Sequence, residues 1–245
     1  MTRSLAWRLV LAGLVALVSW PVAAATVSFG GYEWLIRSYG GGPGPNEWDE
    51  GNVFVDDAGL HLRISRRDGV WTCAEVVMTE TLGFGTYQFE ITGRPDLFDR
   101  NVVLGLFNYP PSADMGPDGS NEIDIEFAQW GNLNVQNRLN WTVYPPALGP
   151  EKGHRDVPIA LNGEASTHRF EWTAEAVRYG SFHGYADTGD AYPIAEWTYA
   201  PDDPATQIPQ VPLTLHMNLW LLNGEAPSDG QEVEVVIRSF SFTPN

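Results

Sequence analysis

A chain of 245 residues with one cysteine, Cys73, can form no internal disulfide and no thiolate cluster for a metal. Alone, Cys73 reads as a small buried apolar residue. Basic residues are scarce too: 14 Lys and Arg stand against 31 Asp and Glu, a formal net charge of −17. Such a surface repels polyanions, which argues against nucleic acid, anionic membrane or heavily sulfated polysaccharide and favours a neutral partner. The five histidines (His61, His154, His168, His183 and His216) lack any HExxH-like grouping and are assigned no chemistry. GxxxxGK[ST], a GxGxxG opening a helix, and GxSxG are all missing, so phosphate and acyl-transfer chemistry are unsupported.

Long apolar runs are missing as well. Residues 1–25 carry the one leader-like pattern: basic Arg3 and Arg8, a short apolar stretch from Leu9 to Val18, and Ala23-Ala24-Ala25 before Thr26. This stretch reads as a secretory signal peptide, too short to span a bilayer, and no other window approaches the ~20 apolar residues a spanning helix needs. The expectation is an exported monomer, extracellular or periplasmic, with residues 26–245 forming one domain.

Past the leader, windows with an apolar repeat of 3.6 are nearly absent, while short alternating runs bounded by Gly, Pro, Asn and Asp recur. This is an all-β pattern. Leu60–Arg66 and Val70–Met78 read as adjacent strands joined by the turn Arg67-Asp68-Gly69, and Gly40 to Asn46 as a surface loop. Four later runs divide into two faces. Leu213, Leu215, Met217, Leu219 and Leu221 oppose Thr214, His216, Asn218, Trp220 and Leu222. Leu139, Trp141 and Val143 oppose Arg138, Asn140, Thr142 and Tyr144, and in Asn101 to Tyr109 three apolar residues oppose Val103, Gly105, Phe107 and Tyr109. The fourth run is Asn121 to Trp130, NEIDIEFAQW. If the four share one sheet with one buried side, their other sides form an open surface of carboxylates, aromatics, amides and a glycine that leaves room. Aromatic faces and amides on such a surface suit a sugar chain.

In NEIDIEFAQW, Glu122, Asp124 and Glu126 alternate with Ile123, Ile125 and Phe127, so the three carboxylates share one face. At an effective dielectric near 20, two ionised carboxylates ~5.5 Å apart repel by ~3 kcal/mol, so one member should keep its proton to higher pH. Hydrolysis of a glycosidic bond needs that pairing: one carboxylic acid to protonate the leaving oxygen, and one carboxylate to attack or to activate water. Residues i and i+4 on a strand are ~13 Å apart at Cα. Leaning side chains could close most of that toward the ~5–5.5 Å of a retaining pair, a spacing that permits retention without requiring it.

Glu122-Ile123-Asp124-Ile125-Glu126 resembles the Glu-x-Asp-x-Glu catalytic strand of glycoside hydrolase family 16, the lichenase and laminarinase group. Cys73-Ala74-Glu75, Gly83-Phe84-Gly85-Thr86-Tyr87, Phe107-Asn108-Tyr109, Phe170-Glu171-Trp172 and Met217-Asn218-Leu219-Trp220 are similar, in the same order, to other lichenase segments, over roughly residues 45 to 243. The resemblance implies a β-jelly-roll sandwich of two antiparallel sheets with a concave substrate cleft. It implies Glu122 as nucleophile, Glu126 as acid/base and Asp124 as assisting carboxylate, with Glu75, Phe107, Tyr109, Asn140, Asn218 and Trp220 lining sugar subsites. The implied activity is hydrolysis of a neutral β-glucan, β-1,3 and/or β-1,4 linked, with no cofactor.

The sequence departs from the lichenase pattern at Ser120, where lichenases place a tryptophan, and at Val77, where they place an arginine; both departures remove sugar contacts. Arg238 falls near the acidic position that helps some relatives hold calcium, so no metal is expected. The sequon Asn140-Trp141-Thr142 is incidental, because a glycan there would block the cleft. Three alternatives stay open: a transglycosylase using the same residues, a non-catalytic lectin-like module on the same scaffold, and a divalent-cation site on the acidic strand.

Overall fold

The computed structural model describes residues 24–132, 134–135, 137–189 and 191–245; nearly all of the expected leader lies outside the described residues. In chain order the strands are β1 (Thr26–Phe29), β2 (Tyr32–Ile36), β3 (Val53–Asp56), β4 (Gly59–Arg67), β5 (Val70–Thr72), β6 (Ala74–Leu82), β7 (Gly85–Thr92) and β8 (Val102–Tyr109). They continue as β9 (Glu122–Phe127), β10 (Asn137–Tyr144), β11 (Gly153–Pro158), β12 (Ala165–Trp172), β13 (Val177–His183), β14 (Tyr192–Tyr199), β15 (Leu213–Leu221) and β16 (Val233–Pro244). The strands pair antiparallel in two sheets. The first runs β1-β2-β6-β15-β8-β9-β10-β11; the second runs β14-β13-β12-β7-β16-β4-β3, with β5 paired to β4. The all-β sandwich expected from the alternating runs is therefore borne out.

The four two-faced runs become adjacent strands, β15-β8-β9-β10, of the first sheet. Their apolar sides all turn inward: Leu215, Met217, Leu219, Leu104, Leu106, Ile123, Ile125, Phe127, Leu139 and Trp141 are fully buried. They meet the inner face of the second sheet, where Tyr179 stacks on Trp141 at 5.3 Å and His168 packs edge-on against Phe127 at 4.8 Å. Tyr179 donates its hydroxyl to Thr142 O at 2.7 Å, a polar link across the core. Burial pushes the His168 imidazole down to about 3, so it stays neutral between the hydroxyls of Ser166 and Ser181.

One expected element differs. Val70–Met78 is not a single strand: β5 ends at Thr72 and β6 begins at Ala74 in the other sheet, so the chain changes sheets at Cys73. Cys73 is fully buried there, its thiol pushed up to about 12 by burial and in contact with Asn46 Oδ1 at 3.3 Å. The loop Gly40 to Asn46 lies on the surface as expected, except that Asn46 itself is buried and donates to Leu221 O at 2.9 Å.

Candidate active site

Antiparallel register stacks the outer faces of four neighbouring strands into rows. Glu126 lies opposite Gly105, Gly105 opposite Asn218, and Asn218 opposite Glu75. The next row runs Asp124, Phe107, His216 and Val77. A third brings Tyr144 opposite Glu122 on one side, with Tyr109 opposite Thr214 on the other. Residues as far apart in sequence as Glu75 and Asn218 thus form one surface, and over it opens a cleft of about 710 Å³.

Glu122, Asp124, Glu126, Glu75, Phe107, Tyr109, Asn218 and Trp220 all line this cleft. Asn140 does not. It is buried beside Glu126, its amide shared among the carbonyls of Glu126, Ala128 and Arg138 at 3.4–3.5 Å, and its Oδ1 accepts the indole N–H of Trp130 at 3.1 Å. The sequon asparagine is thus enclosed by backbone, as its incidental reading requires.

None of the ion pairs among the described residues involves Glu122, Asp124 or Glu126. The three carboxylates therefore compete for protons. Burial, and then the charge of Glu126, push Glu122 up to about 8; burial pushes Glu126 up to about 7. Asp124 is raised well above the carboxylate range by burial, then by the charges of both glutamates. Asp124 and Glu122 act on one another's proton affinity, raising that of Asp124 and lowering that of Glu122. Lys152 opposes the rise of all three; its ammonium donates to the Tyr144 hydroxyl at 3.2 Å and sits 4.7 Å above that ring.

Several cleft groups take their place through partners distant in sequence. Arg37 donates to Glu75 Oε2 at 2.7 Å and His216 Nδ1 lies 2.9 Å from Glu75 Oε1. Burial alone would raise Glu75, but these two partners outweigh it and hold its carboxyl below the usual range. The Arg37 guanidinium lies 4.8 Å from the Tyr39 ring and 4.5 Å from Trp48, tying the loop after β2 to the cleft wall. His216 stacks on Phe107 at 5.0 Å, and Tyr109 donates to Asp118 Oδ1 at 2.8 Å. Of the two departures from the lichenase pattern, Val77 lines the cleft, and Ser120 is buried with its hydroxyl donated to Pro117 O.

Gly105 leaves the space between Glu126 and Asn218 open: a Cβ there would stand 2.5 Å from Asn218 Oδ1 and 3.3 Å from the Phe107 ring. Gly105→Val should lower kcat/KM on any cleaved glycan by roughly 100-fold, because displacements of about 1 Å at a reacting centre cost that much. Steady-state kinetics checks it, and an unchanged kcat/KM would show that the space is not used.

Beyond β9 the chain turns through Trp130 (φ +50°) and Gly131 (φ +76°). A left-handed tryptophan costs about 1 kcal/mol, yet the residue remains 42 % exposed, its ring 6.4 Å from that of Trp220 at 56°.

No family model matches the chain. A curated β-glucanase of Bacillus licheniformis is 25% identical over 176 residues, 71% of this chain and 62% of that protein, so the match spans less than two thirds of the relative. The solved B. licheniformis β-glucanase superposes with a TM-score of 0.64 at 19% identity, covering 92% of this chain and 100% of that one. A Bacteroides ovatus mixed-linkage-glucan GH16 protein in complex with a G4G4G3G product gives 0.66 at 13% identity over 86% and 94%. A Mycobacterium tuberculosis protein described as an immunostimulatory antigen and pseudo β-1,3-glucanase gives 0.59 at 20% over 84% and 88%. These likenesses bear out the jelly-roll fold and the resemblance to glycoside hydrolase family 16.

Proposed function

We propose that the chain is a secreted, endo-acting hydrolase of a neutral β-glucan, β-1,3 and/or β-1,4 linked, that works with retention. One observation carries the reading: three carboxylates share one face of β9, Asp124 buried and both glutamates half-buried, all with raised proton affinity and none in an ion pair among the described residues, in a cleft that also holds Phe107, Tyr109 and Trp220. The endo-glucanase class is supported by the likeness to β-glucanases, the glucan substrate by the oligosaccharide-bound Bacteroides structure, and secretion by the leader pattern alone.

In this mechanism Asp124, whose proton affinity is raised the most by burial and by both glutamates, stays neutral beside Glu122, whose carboxylate attacks the anomeric carbon. The glycosidic C–O bond breaks and Glu126 gives its proton to the leaving oxygen. Glu126, now ionised, takes a proton from the water that cleaves the glycosyl ester, restoring both groups. Release of reducing ends from lichenan, laminarin and related glucans tests the reading, with the anomer of the first product reporting retention. Binding without release would favour the lectin-like alternative, to which the likeness to a pseudo-glucanase and the changes at Ser120 and Val77 lend weight.

The reaction needs Glu126 protonated and Glu122 ionised, so kcat/KM should be bell-shaped, with an acid limb and an alkaline limb on either side of a maximum between about 7 and 8, the values to which Glu126 and Glu122 are pushed. Lys152 lowers the proton affinity of all three carboxylates, so Lys152→Met should move this alkaline limb to higher pH. A pH profile of the two proteins decides it; a limb that stays in place or moves down contradicts the role of Lys152.

A further inference from the structure

Trp130 stands beside Trp220, the two rings 6.4 Å apart, just past the Glu126 end of β9 and outside the cleft lining itself, and four features of this residue are hard to reconcile with a passive surface position. Its backbone is held in the left-handed region that bulky residues avoid. Its indole N–H is fixed by Asn140, a buried side chain whose own amide is anchored to three backbone carbonyls. Its ring is inclined at 56° to Trp220, which lines the cleft. Despite these restraints the residue stays 42 % exposed. An exposed aromatic that only filled space would be free to collapse onto its neighbours; this one is fixed at both backbone and ring tip with apolar area turned to solvent. Strain that the surroundings hold in place is a mark of function.

We propose that Trp130 and Trp220 together form a subsite for one neutral pyranose unit on the cleft wall beside Glu126, and that Asn140 is a positioning residue which orients the Trp130 indole rather than a sugar contact. The ligand class follows from the chemistry. Aromatic faces match the apolar face of a pyranose, and the net charge of −17 with ionisable carboxylates close by disfavours an anionic sugar. The inference rests on the glycan-cleft reading and deepens it.

The test uses the full chain and glucan oligosaccharides, with Trp130→Ala, Trp130→Gly, Trp130→Phe and a control, Tyr192→Ala, at an exposed aromatic on β14 in the other sheet. Trp130→Ala should raise KM about tenfold, the size of one lost aromatic contact, with the loss falling on KM rather than on kcat. Trp130→Phe should recover part of it, and Tyr192→Ala should leave KM unchanged. Trp130→Gly relieves the left-handed backbone, so its thermal midpoint should equal or exceed that of the wild type while its KM rises like that of the alanine variant. That opposition separates a binding role from a structural one. Asn140→Ala should weaken binding in the wild-type background and add nothing to Trp130→Ala.

Calorimetric titration of the same oligosaccharides into Glu122→Gln and into Glu122→Gln/Trp130→Ala keeps the outcomes distinct. Turnover with KM unaffected by the Trp130 variants overturns the subsite and leaves the hydrolase reading standing. Oligosaccharide binding that weakens about tenfold without Trp130, in a protein that never releases sugar, supports the subsite and overturns the hydrolase. A wild type that neither binds nor cleaves glucan overturns both.

Discussion

Glu122→Gln and Glu126→Gln should each lose at least about a thousandfold in kcat on whatever glucan the wild type cleaves, while still binding it. Each substitution keeps shape and hydrogen-bonding capacity and removes one proton-transfer or nucleophilic function, a change worth 10²–10⁴ for an acid/base group alone. The structure adds a second, opposite expectation. Burial raises the proton affinity of all three carboxylates, and neighbouring carboxylate charge adds to it at Glu122 and Asp124, so their ionisation works against the fold at neutral and alkaline pH. The sign follows: a group whose folded value lies above its unfolded value costs stability as pH rises through that gap. Both glutamine variants should therefore melt higher than the wild type at pH 8, by about 2–4 °C for each kcal/mol relieved in a chain of this size. Loss of turnover with a gain in midpoint is what groups retained for chemistry predict. Near-normal turnover in either variant would remove it from the mechanism, and a lowered midpoint would mean that the carboxylate is a structural ligand instead.

Much of this site was legible before the fold was known, because strand alternation fixes which side chains share a face. The period-two pattern of β8, β9, β10 and β15 was enough to put the acids, Phe107, Asn218 and Trp220 on one surface and the leucines and isoleucines on the other. Alternation says nothing about register, and register is what brings Glu75 on β6 into the row of Glu126, 51 positions away. The roles that carried no signal are those that depend on meeting a distant partner. Arg37 matters because Glu75 faces it, His216 because it lies between Glu75 and Phe107, and Lys152 because its loop returns over Tyr144. Asn140 illustrates the converse: it sits at the sequence position expected, but its amide is turned into backbone and its remaining oxygen serves Trp130. The break at Cys73 was hidden for a similar reason, since the residues on both sides are strand-like and only the change of sheet separates them.

Arg238→Met should destabilise the fold although it lies away from the cleft. Glu90 on β7 is almost fully buried, and its Oε2 is held by the Arg238 guanidinium and by the Ser239 hydroxyl at 2.9 Å. Its Oε1 accepts the Asp187 amide at 3.0 Å, while Arg238 also reaches Asp187 Oδ2 at 2.8 Å and stacks 4.5 Å over Tyr185. One cation therefore serves two carboxylates. Methionine keeps most of the stem packing and removes the charge, leaving Glu90 without its counter-ion. Breaking a buried pair in this way costs about 3–5 kcal/mol, and because the Arg238 side chain is 33 % exposed and screened by water the cost drops below that range, to about 2–3 kcal/mol. At about 2–4 °C per kcal/mol the midpoint should fall by roughly 5–10 °C in thermal unfolding followed by circular dichroism. Replacing the carboxylate as well, in Arg238→Met/Glu90→Gln, should restore more than half of the loss, since the penalty belongs to the uncompensated charge and not to the missing bond. Turnover at 25 °C should remain that of the wild type in both, because β7 and β16 lie in the sheet opposite the cleft. If the single variant melted within about 1 °C of the wild type, water would have to be solvating Glu90 in place of the guanidinium, and the cluster would be a surface ornament rather than a brace of the second sheet.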